Sequence, residues 1–520
     1  MKKCFVWWKG NEMDRILLNG KNTLEDLVSV ARNHSQVAFS DAYIERVQKC
    51  RNFVDDFSKG GIPIYGVTTG LGDNWRNFIP EEDRIHIQRN HILAHTCAVG
   101  DPINEECTRA MMFVMLLHFG SGHTGIRLET LELLKEMLNR NVVPRVPGHG
   151  SVGYISLEAH IGMVLIGEGK AWYKGKLLSG KEALLEAGLE PIVLSSKEGL
   201  TIVSGTTSVT AFSALALYDA ATLALTADIS GAFSLEVLKG TLMAMDDRIM
   251  EVRPHVDQGM TAYNLRTILQ DSEIVEKYRG YRVQDALSIR CIPQLHGAVK
   301  KAIKDGLQSL EVELNSSVDN PLIFEENDGK AVALMGCNAD GSYLGMASDF
   351  LAIAITDLCK MSASRIDRLL NRLVSELPAF LNKNAEYNDG LMMIQYTAAG
   401  LLGEMRILSH PAVVDNLTTC ANQEDYISMG YNAVKKAYDL MQMGRYIIAI
   451  ELICDGQALD CYDMLAPSSA TGKVYQLLRK VVPVLETDAP LTPLIESVSA
   501  QIKERKYIDV VETITGKLQF

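Results

Sequence analysis

A single segment, Gly345–Asn371, most constrains what this chain can fold into. It contains no proline and its only glycine stands at the start, so nothing inside it breaks a helix. Its apolar residues fall on more than one face of that helix. A helix that is apolar on several faces is buried in a helical bundle or in an interface between subunits. The segment therefore predicts a fold with long helices at its centre.

Helical periodicity also dominates the rest of the sequence. Apolar residues recur at spacings of three and four in many stretches, which are 82–97, 105–119, 127–140, 156–168, 207–240, 293–314, 344–376, 390–407, 430–453 and 490–505. Strand-like alternation is short and rare, at Lys170–Leu178 and Lys330–Leu334. The predicted fold class is mainly α, with a long central helical bundle and a few short strands.

Polar and glycine-rich clusters fall between the predicted helices, and loops held by a rigid scaffold are where chemistry tends to lie. These clusters are 65–74, 147–153, 203–207 and 335–341. We predict a loop-rich helical domain over residues 1–200, which carries Tyr65 and the Gly150–Gly153 segment. A long-helix bundle with C-terminal helices follows over residues 201–520. No linker-like composition separates the two, so they are expected to form one continuous unit.

Charge and cysteine content exclude several classes of protein. The 520 residues include 51 Lys+Arg and 64 Asp+Glu, for a net charge of −13, which argues against nucleic-acid binding because that needs clustered positive charge. No uncharged apolar run reaches the roughly 18 residues of a membrane-spanning helix. Ten scattered cysteines without a C-x-x-C pair are typical of reduced thiols. We therefore expect a cytoplasmic protein with no nucleic-acid or membrane partner.

Two further motifs carry little weight. The stretch 148–153 matches the dinucleotide fingerprint G-x-G-x-x-G, but the preceding residues 142–147 hold two prolines and no clean strand. His91 and His95 have the helical spacing of a zinc pair, yet no acidic residue lies between them and no third ligand is apparent. Histidines of the core or of a pocket are the favoured interpretation. No metal is predicted.

Seven segments in a fixed order resemble the histidine and aromatic amino-acid ammonia-lyase family, and together they extend over nearly the whole chain. They are Tyr65–Gly72, Gln88–Val99, Gly150–Gly153, Lys197–Gly199 with Ser204–Thr206, Gln284–Gln294, Ser317–Pro321 and Asn422–Gly430. The histidine branch fits best, because His95 and Glu424 stand where it places its imidazole-recognising histidine and glutamate. The resemblance implies a mainly helical carbon–nitrogen lyase, and a homotetramer whose active sites draw loops from several subunits.

The resemblance also implies a role for each matching residue. Tyr65 is expected to be the general base that takes the β-proton, which requires a lowered phenol pKa. Arg290 is expected to hold the substrate carboxylate. Glu424, a catalytic candidate, and His95 are expected to orient the imidazole ring and to accept or donate its protons. The remaining expected substrate contacts are Ser204, Asn320, Ala339 and Gln423.

The chain departs from the family at its prosthetic group. The family follows Gly-Ser-Val-Gly with Ala-Ser-Gly, which cyclises to the electrophile methylidene-imidazolone. Here Gly153 is followed at once by Tyr154, and the spacing onward to residues 166–169 is three residues short. Either the modified tripeptide has been omitted from the residue string between Gly153 and Tyr154, or it is genuinely missing.

Three other departures favour genuine loss. Ser204 stands where the family has the asparagine that supports the electrophile, and Leu287 stands where it has a nearby tyrosine. Ala339 and Asp340 replace the Phe-His pair of the adjacent loop, which enlarges the space there. A working electrophile is not expected to lose two of its supports, so no cofactor is expected.

Without an electrophile, the substrate must already carry a good leaving group, and a trimethylammonium leaves as neutral trimethylamine. Lys383 lies in a loop that has no lysine at this point in the histidine branch. It is either an exposed loop lysine or an ammonium that faces a thione sulfur and stabilises negative charge in the ring. The whole pattern resembles an ergothionase-like member of the family, which converts ergothioneine to thiourocanate and trimethylamine.

Other functions stay open on the same scaffold. The first is a methylidene-imidazolone-dependent histidine ammonia-lyase that gives urocanate and ammonia, and a related aminomutase is the second. A catalytically inactive oligomeric partner is the third, and retention of Tyr65, Arg290 and Glu424 argues against it. In every active case the substrate is a small imidazole amino acid or its betaine.

Overall fold

The computed structural model describes residues 15–59, 63–384, 386–462 and 464–520. Within them the fold is mainly α, as predicted, because apolar residues at helical spacing cover most of the chain. In the first half the helices are α1 (Leu24–Arg32), α2 (Asp41–Lys59), α3 (Arg84–His95), α4 (Glu105–Phe119), α5 (Leu128–Asn139), α6 (Leu157–Leu165), α7 (Gly180–Glu186), α8 (Glu198–Val203), α9 (Thr207–Val237), α10 (Asp247–Glu251) and α11 (Val256–Ile268).

The second half continues with helices of very unequal length. They are α12 (Glu273–Lys277), α13 (Leu287–Arg290), α14 (Ile292–Leu314), α15 (Ser342–Leu370), α16 (Arg372–Ser375), α17 (Met392–Leu408), α18 (Gly430–Leu459), α19 (Ser469–Leu478), α20 (Thr492–Lys503) and α21 (Lys506–Thr515). The longest are α9 with 31 residues, α18 with 30 and α15 with 29. Helix α18 contains the predicted stretch 430–453, and α9 and α15 cover most of the predicted stretches 207–240 and 344–376.

The described strands are short and form four small sheets. They are β1 (Ile16–Leu18), β2 (Val37–Phe39), β3 (Val99–Pro102), β4 (Val143–Pro144), β5 (Pro147–His149), β6 (Lys170–Tyr173), β7 (Lys176–Ser179), β8 (Leu322–Glu325) and β9 (Ala331–Leu334). Strands β1 and β2 pair in parallel, and β3 pairs with β5 antiparallel. Strand β6 lies between β4 and β7, while β8 and β9 form a hairpin. Both strand signals of the sequence lie on observed strands.

The chain divides into two compact units that do not follow the chain order. Unit 1 comprises residues 1–215, 307–348 and 411–435, and unit 2 comprises 216–306, 349–410 and 436–520. Unit 1 holds all the described strands. The division into residues 1–200 and 201–520 stays a prediction about folding units.

Each unit has its own buried interior. In unit 1, helix α4 is buried from Cys107 to Phe119, which explains its almost uninterrupted apolar sequence. In unit 2, the buried Arg365 guanidinium pairs with the buried Glu451 carboxylate, and Ser230 and Ser234 donate hydrogen bonds to the same carboxylate at 3.1 and 3.0 Å. Buried charges need such partners because burial removes their hydration.

One helical segment of the described residues, Glu198–Val237, is long and apolar enough to cross a membrane. Its most apolar window is entirely buried inside the protein, as in the core helix of a globular fold. By length and composition this segment could span a membrane, whereas the sequence analysis expected no such helix. Its burial inside the protein explains why it is so apolar.

Candidate active site

The Tyr65 loop owes its conformation to glycines. Gly66 has φ +68°, and a Cβ there would lie 2.3 Å from Leu200 Cδ2. Tyr65 is half-buried, and its phenol oxygen accepts a hydrogen bond of 2.8 Å from the backbone N–H of Gly72. Gly72 begins a short 3₁₀ helix, Gly72–Arg76, so its N–H has no partner within that helix. The phenol oxygen satisfies it.

The pKa of Tyr65 differs from the expectation for a base. Burial raises it above the ordinary value of 10.0, the Gly72 N–H lowers it, and nearby Cys420 and Glu424 raise it further. The sequence-based expectation of a lowered pKa is therefore wrong for the protein without substrate. The physical reason is that burial disfavours the charged phenolate, and the neighbouring Cys420 and Glu424 oppose it further.

Glu424 lies on a tightly closed turn. The Thr419 N–H donates to the Glu424 carbonyl at 2.9 Å, and the Thr419 hydroxyl donates to Glu424 Oε2 at 2.6 Å. Between them, Cys420, Ala421 and Asn422 all adopt left-handed conformations, with φ of 49°, 51° and 68°. Such conformations are costly for residues with a side chain and persist where the surroundings impose them. The turn thereby fixes the position of the carboxylate.

The Tyr65 loop and the Glu424 turn approach each other closely. Gly72 has φ +58°, and a Cβ there would lie 2.7 Å from the Cys420 sulfur. Only glycine permits both this backbone conformation and this approach. The base candidate Tyr65 and the carboxylate of Glu424 thus face a common space, consistent with the effect of Glu424 on the Tyr65 pKa.

Tyr154 is a third member of this group, and sequence reasoning did not identify it. Tyr154 is half-buried, and its hydroxyl lies near the Glu424 carboxylate. Burial, followed by Glu424, Cys337 and Cys420, raises the pKa of Tyr154, so the hydroxyl stays protonated. The signal that sequence reasoning passed over was an aromatic residue directly after Gly153, at the point where the family places its tripeptide.

The residues around Tyr154 do not fit the family's prosthetic group. Formation of that group needs a serine followed by glycine, whereas Ser151 is followed by Val152 and Ser156 by Leu157. The Tyr154 hydroxyl is engaged with Glu424, and the next residue, Ile155, donates its N–H to the Val203 carbonyl at 3.1 Å. The chain supplies an aromatic side chain here instead of a cyclisable tripeptide.

His95 is the last residue of α3 and is half-buried. Its Nδ1 lies 2.8 Å from the His91 carbonyl oxygen. A carbonyl only accepts, so Nδ1 carries the proton and Nε2 is left for a ligand. Burial, followed by the neighbouring His95, lowers the pKa of His91 to about 3, so His91 is neutral. No group of three or more metal-binding side chains occurs among the described residues.

Four more expected contacts lie in unit 1. Ser204 is buried directly after α8, with its N–H donating to the Leu200 carbonyl at 2.9 Å. The Asn320 Oδ1 accepts the Gly336 N–H at 3.0 Å, which ties the Asn320 side chain to the loop 335–341. Ala339 of that loop is buried. Gln423 is exposed beside Glu424.

A buried ion pair supports Asn320. Lys197 and Asp319 are 0% and 2% exposed, and the ammonium donates to the Asp319 Oδ2. Lys197 also donates to the Thr201 hydroxyl at 3.1 Å. The other oxygen of Asp319 accepts the Asn320 N–H at 2.7 Å. The pair therefore fixes the backbone from which the Asn320 side chain projects.

Arg290 and Lys383 lie in unit 2. Arg290 ends α13, and its Nε is buried without a hydrogen-bond partner among the described residues. A buried guanidinium N–H of this kind lacks the acceptor that a carboxylate provides. Lys383 is exposed, and its Nζ donates to the Asp460 carbonyl at 2.7 Å. Leu287, where the family has a tyrosine, is 59% exposed.

The geometry thus brings Tyr65, Tyr154 and Glu424 together. The catalytic and binding roles of all the predicted residues, including Tyr65 and Glu424, stay predictions. A phenol, a second phenol and a carboxylate around one space suit proton transfer next to a cationic substrate group. Cys337 and Cys420, which sequence reasoning also missed, border this group. Burial, Asp340 and Glu424 raise the pKa of Cys337.

Comparisons with known proteins show the family to which the chain belongs. The aromatic amino acid lyase family matches residues 22–480. A histidine ammonia-lyase of Caldanaerobacter subterraneus subsp. tengcongensis is 42% identical over 479 residues, which are 91% of this chain and 94% of that protein. Two solved structures are similar over most of their length, and each shares about a third of its residues with this chain.

The first is a histidine ammonia-lyase from Trypanosoma cruzi, with a TM-score of 0.89 and 33% identity over 96% of this chain and 95% of that one. The second is ergothionase from Treponema denticola in complex with desmethyl-ergothioneine sulfonic acid. Its TM-score is 0.88, with 30% identity over 95% of this chain and 100% of that one. On the family match and the identity to these relatives, the chain belongs to the aromatic amino acid lyase family and is a carbon–nitrogen lyase.

Proposed function

We propose that this lyase eliminates trimethylamine from ergothioneine and forms thiourocanate. The observation that carries the proposal is the replacement of the family's Ala-Ser-Gly by Tyr154 and its neighbours, none of which offers a serine followed by glycine. An ammonia-lyase needs its electrophile to turn ammonia into a viable leaving group. A quaternary ammonium needs no such activation, and it has no lone pair with which to attack an electrophile.

The atoms and electrons of this elimination balance with the groups that the protein and the substrate supply. Tyr65, as phenolate, takes the β-proton of the substrate, and the electrons of that C–H bond form the Cα=Cβ double bond. The Cα–N bond breaks, and trimethylamine leaves as a neutral molecule that carries the bonding pair. A positioned base contributes typically 10²–10⁴-fold to such a step. The N–H of Gly72 stabilises the phenolate oxygen.

The substrate itself offsets the raised pKa of Tyr65. At about 5 Å and an effective dielectric of about 20, a unit positive charge stabilises a phenolate by about 3 kcal/mol. That amount corresponds to a pKa lower by about two units. The trimethylammonium group of a betaine brings such a charge to a phenol whose charged neighbours in the described chain are acidic. Binding therefore activates the base.

Other residues position the substrate in this proposal. Arg290 holds the carboxylate through its fork of donors, and its unpaired buried Nε supports that role. Glu424 and the Nε2 of His95 orient the imidazole ring. The remaining contacts come from Ser204, Asn320, Ala339 and Gln423.

Lys383 distinguishes the sulfur-bearing substrate. Two preceding residues, Phe380 and Leu381, have φ of 52° and 55°, so the backbone that carries the lysine is held in a costly conformation. In the proposed complex the Lys383 ammonium faces the thione sulfur and stabilises the negative charge that reaches the ring as the β-proton leaves. Such a contact has no counterpart for histidine, which lacks the sulfur.

A homotetramer with shared active sites is part of the proposal. On α17, Met393, Tyr396 and Ile407 are 53%, 65% and 77% exposed, and a Cβ on Gly400 or Gly403 would meet no atom within 4 Å. Exposed glycines weaken a helix unless another chain packs closely against them. Sedimentation of the parent and of Gly400→Lys tests this: the parent should sediment as a tetramer and the variant as a smaller species.

Histidine ammonia-lyase is the second candidate, because the Caldanaerobacter relative that is 42% identical carries that name. It requires the prosthetic group that the residues at Tyr154 do not fit. One assay separates the candidates: ergothioneine, trimethylhistidine and histidine are offered side by side to the parent and to Tyr65→Phe. Ergothioneine should be consumed fastest, with release of trimethylamine. Urocanate from histidine as the fastest product would contradict the proposal, and no turnover of any substrate would indicate an inactive partner.

A further inference from the structure

We propose that Tyr154 is a specificity-determining residue, which recognises the quaternary ammonium group of the substrate beside the Glu424 carboxylate. This inference rests on the proposed function, because it assigns the reason why a trimethylammonium is preferred to an ammonium. Its evidence differs from that for the proposed function, because it comes from the backbone and the contacts of the residues around Tyr154.

The backbone on both sides of Tyr154 is fixed in unusual conformations. Gly153 has φ +135°, and a Cβ there would lie 3.2 Å from the Ser428 hydroxyl. Ile155 has φ +59°, which is exceptional for a β-branched residue. Its N–H is anchored to the Val203 carbonyl at 3.1 Å. Costly conformations of this kind persist where the surrounding structure imposes them, and they cluster at functional sites.

This backbone places the Tyr154 segment beside the chain that follows Glu424, since a Cβ on Gly153 would also lie 3.4 Å from the Gly430 nitrogen. The Glu424 carboxylate accepts a hydrogen bond of 2.6 Å from the Thr419 hydroxyl, and it lies near enough to Tyr154 to raise the pKa of that phenol. A second phenol, that of Tyr65, lies near enough for Glu424 to raise its pKa. Two aromatic rings and one carboxylate therefore border the same space, and one of the rings stands where the family has its electrophile.

That combination matches the chemistry of a quaternary ammonium. Such a cation has no N–H, so it cannot donate hydrogen bonds, and it is attracted instead to the faces of aromatic rings and to negative charge. A primary ammonium gains less from a ring, because it loses hydration and needs acceptors for its three donors. In the family, the electrophile at this position captures primary amines. Tyr154 occupies the same position and favours methylated ammonium groups instead.

The experiment uses tetramethylammonium as the probe and measures its dissociation constant by titration of the full-length protein. Tyr154→Leu removes the ring and should weaken binding about tenfold, since a cation–π contact contributes roughly a factor of 2 to 30. Tyr154→Phe keeps the ring and should bind within about threefold of the parent. Tyr173→Leu is the matched control, a half-buried tyrosine on the β6–β7 hairpin, and it should leave binding unchanged.

A series of phenylalanine analogues at residue 154 keeps the shape of the ring, so the test does not depend on a variant that fails to fold. Residue 154 is replaced by phenylalanine, 4-fluorophenylalanine and pentafluorophenylalanine, which keep the ring while its face becomes less negative. Affinity for tetramethylammonium should fall in that order, and the KM for ergothioneine should rise in the same order with a smaller change in kcat. Equal affinity across the series, or equal affinity of Tyr154→Leu and the parent, would overturn the assignment.

The same titration separates this inference from the proposed function. A parent that binds tetramethylammonium through Tyr154 but leaves ergothioneine intact would refute the proposed substrate and support the role of Tyr154. A parent that consumes ergothioneine while Tyr154→Leu binds the probe normally would refute only the role of Tyr154. A parent that does not bind the probe would refute that role as well.

Discussion

The backbone N–H of Gly72 donates a hydrogen bond of 2.8 Å to the phenol oxygen of Tyr65. A donor at this oxygen favours the phenolate over the phenol. It acts against burial and against the neighbouring Cys420 and Glu424, which together raise the pKa of Tyr65. The balance between these effects determines when Tyr65 can accept a proton, and it makes the reaction dependent on pH.

Replacing Tyr65 by phenylalanine should abolish most of the activity and leave the fold intact. The ring and its packing remain, but the ionisable hydroxyl is lost, so kcat should fall by about 10²–10⁴-fold. Steady-state kinetics measures the loss, and circular dichroism with a thermal melt confirms the fold. Activity within a few-fold of the parent would exclude Tyr65 as the base.

The pH profiles of kcat/KM and kcat should differ. A base acts when deprotonated, so both parameters rise with pH until its pKa is passed. Because kcat/KM reports the free enzyme, it should keep rising towards the raised pKa of Tyr65, above the ordinary 10.0. In contrast, kcat should level off at a lower pH, because the cation of the bound substrate lowers the pKa of Tyr65. Coincident profiles would show that substrate does not lower the pKa.

The mature protein should carry no methylidene-imidazolone. Trypsin should release the peptide from Val146 to Lys170, and tandem mass spectrometry should find Gly153 joined directly to Tyr154. The intact mass should equal that of the 520-residue sequence. An additional dehydrated Ala-Ser-Gly, with the absorbance band of the prosthetic group, would favour histidine ammonia-lyase instead.

Lys383→Met should slow the reaction of ergothioneine much more than that of trimethylhistidine. The substitution keeps length and packing but removes the charge that faces the sulfur, at a cost of about 3 kcal/mol or roughly 10²-fold in rate. Trimethylhistidine has no sulfur and serves as the internal control. Equal losses on both substrates would contradict the sulfur role, and the leaving-group argument would still stand.

Breaking the buried Lys197–Asp319 pair should destabilise the protein. Lys197→Met leaves the Asp319 carboxylate buried without its cation, which typically costs about 3–5 kcal/mol. The double variant Lys197→Met with Asp319→Asn should recover a large part of this loss. Chemical denaturation measures both. A single variant as stable as the parent would show that water or another group compensates the carboxylate.

The long helices could be predicted from the sequence because their apolar periodicity is local. The stretch 207–240 became α9 (Thr207–Val237), and 293–314 became α14 (Ile292–Leu314). Short helices such as α13 (Leu287–Arg290) were missed, since a single turn leaves too few residues for a period to show. Their existence depends on packing with distant parts of the chain.

The site could be predicted only in part, for a similar reason. Tyr65 and Glu424 followed from motifs, and the structure places them around one space. Tyr154 and Glu424 lie near each other although they are far apart in sequence, and no local pattern predicts their proximity. The predicted lowering of the Tyr65 pKa was wrong for the same reason, since burial and acidic neighbours arise from tertiary structure.

The close approach of Gly72 to Cys420 limits how this site can evolve. A side chain at position 72 would have to pass through the space of the Cys420 sulfur, since its Cβ would lie 2.7 Å from that atom. A larger residue at position 420 would press equally on Gly72 and draw its N–H away from Tyr65. The two positions therefore tolerate exchange only in concert, so that the mutational history of the Tyr65 loop is tied to that of the turn that carries Glu424.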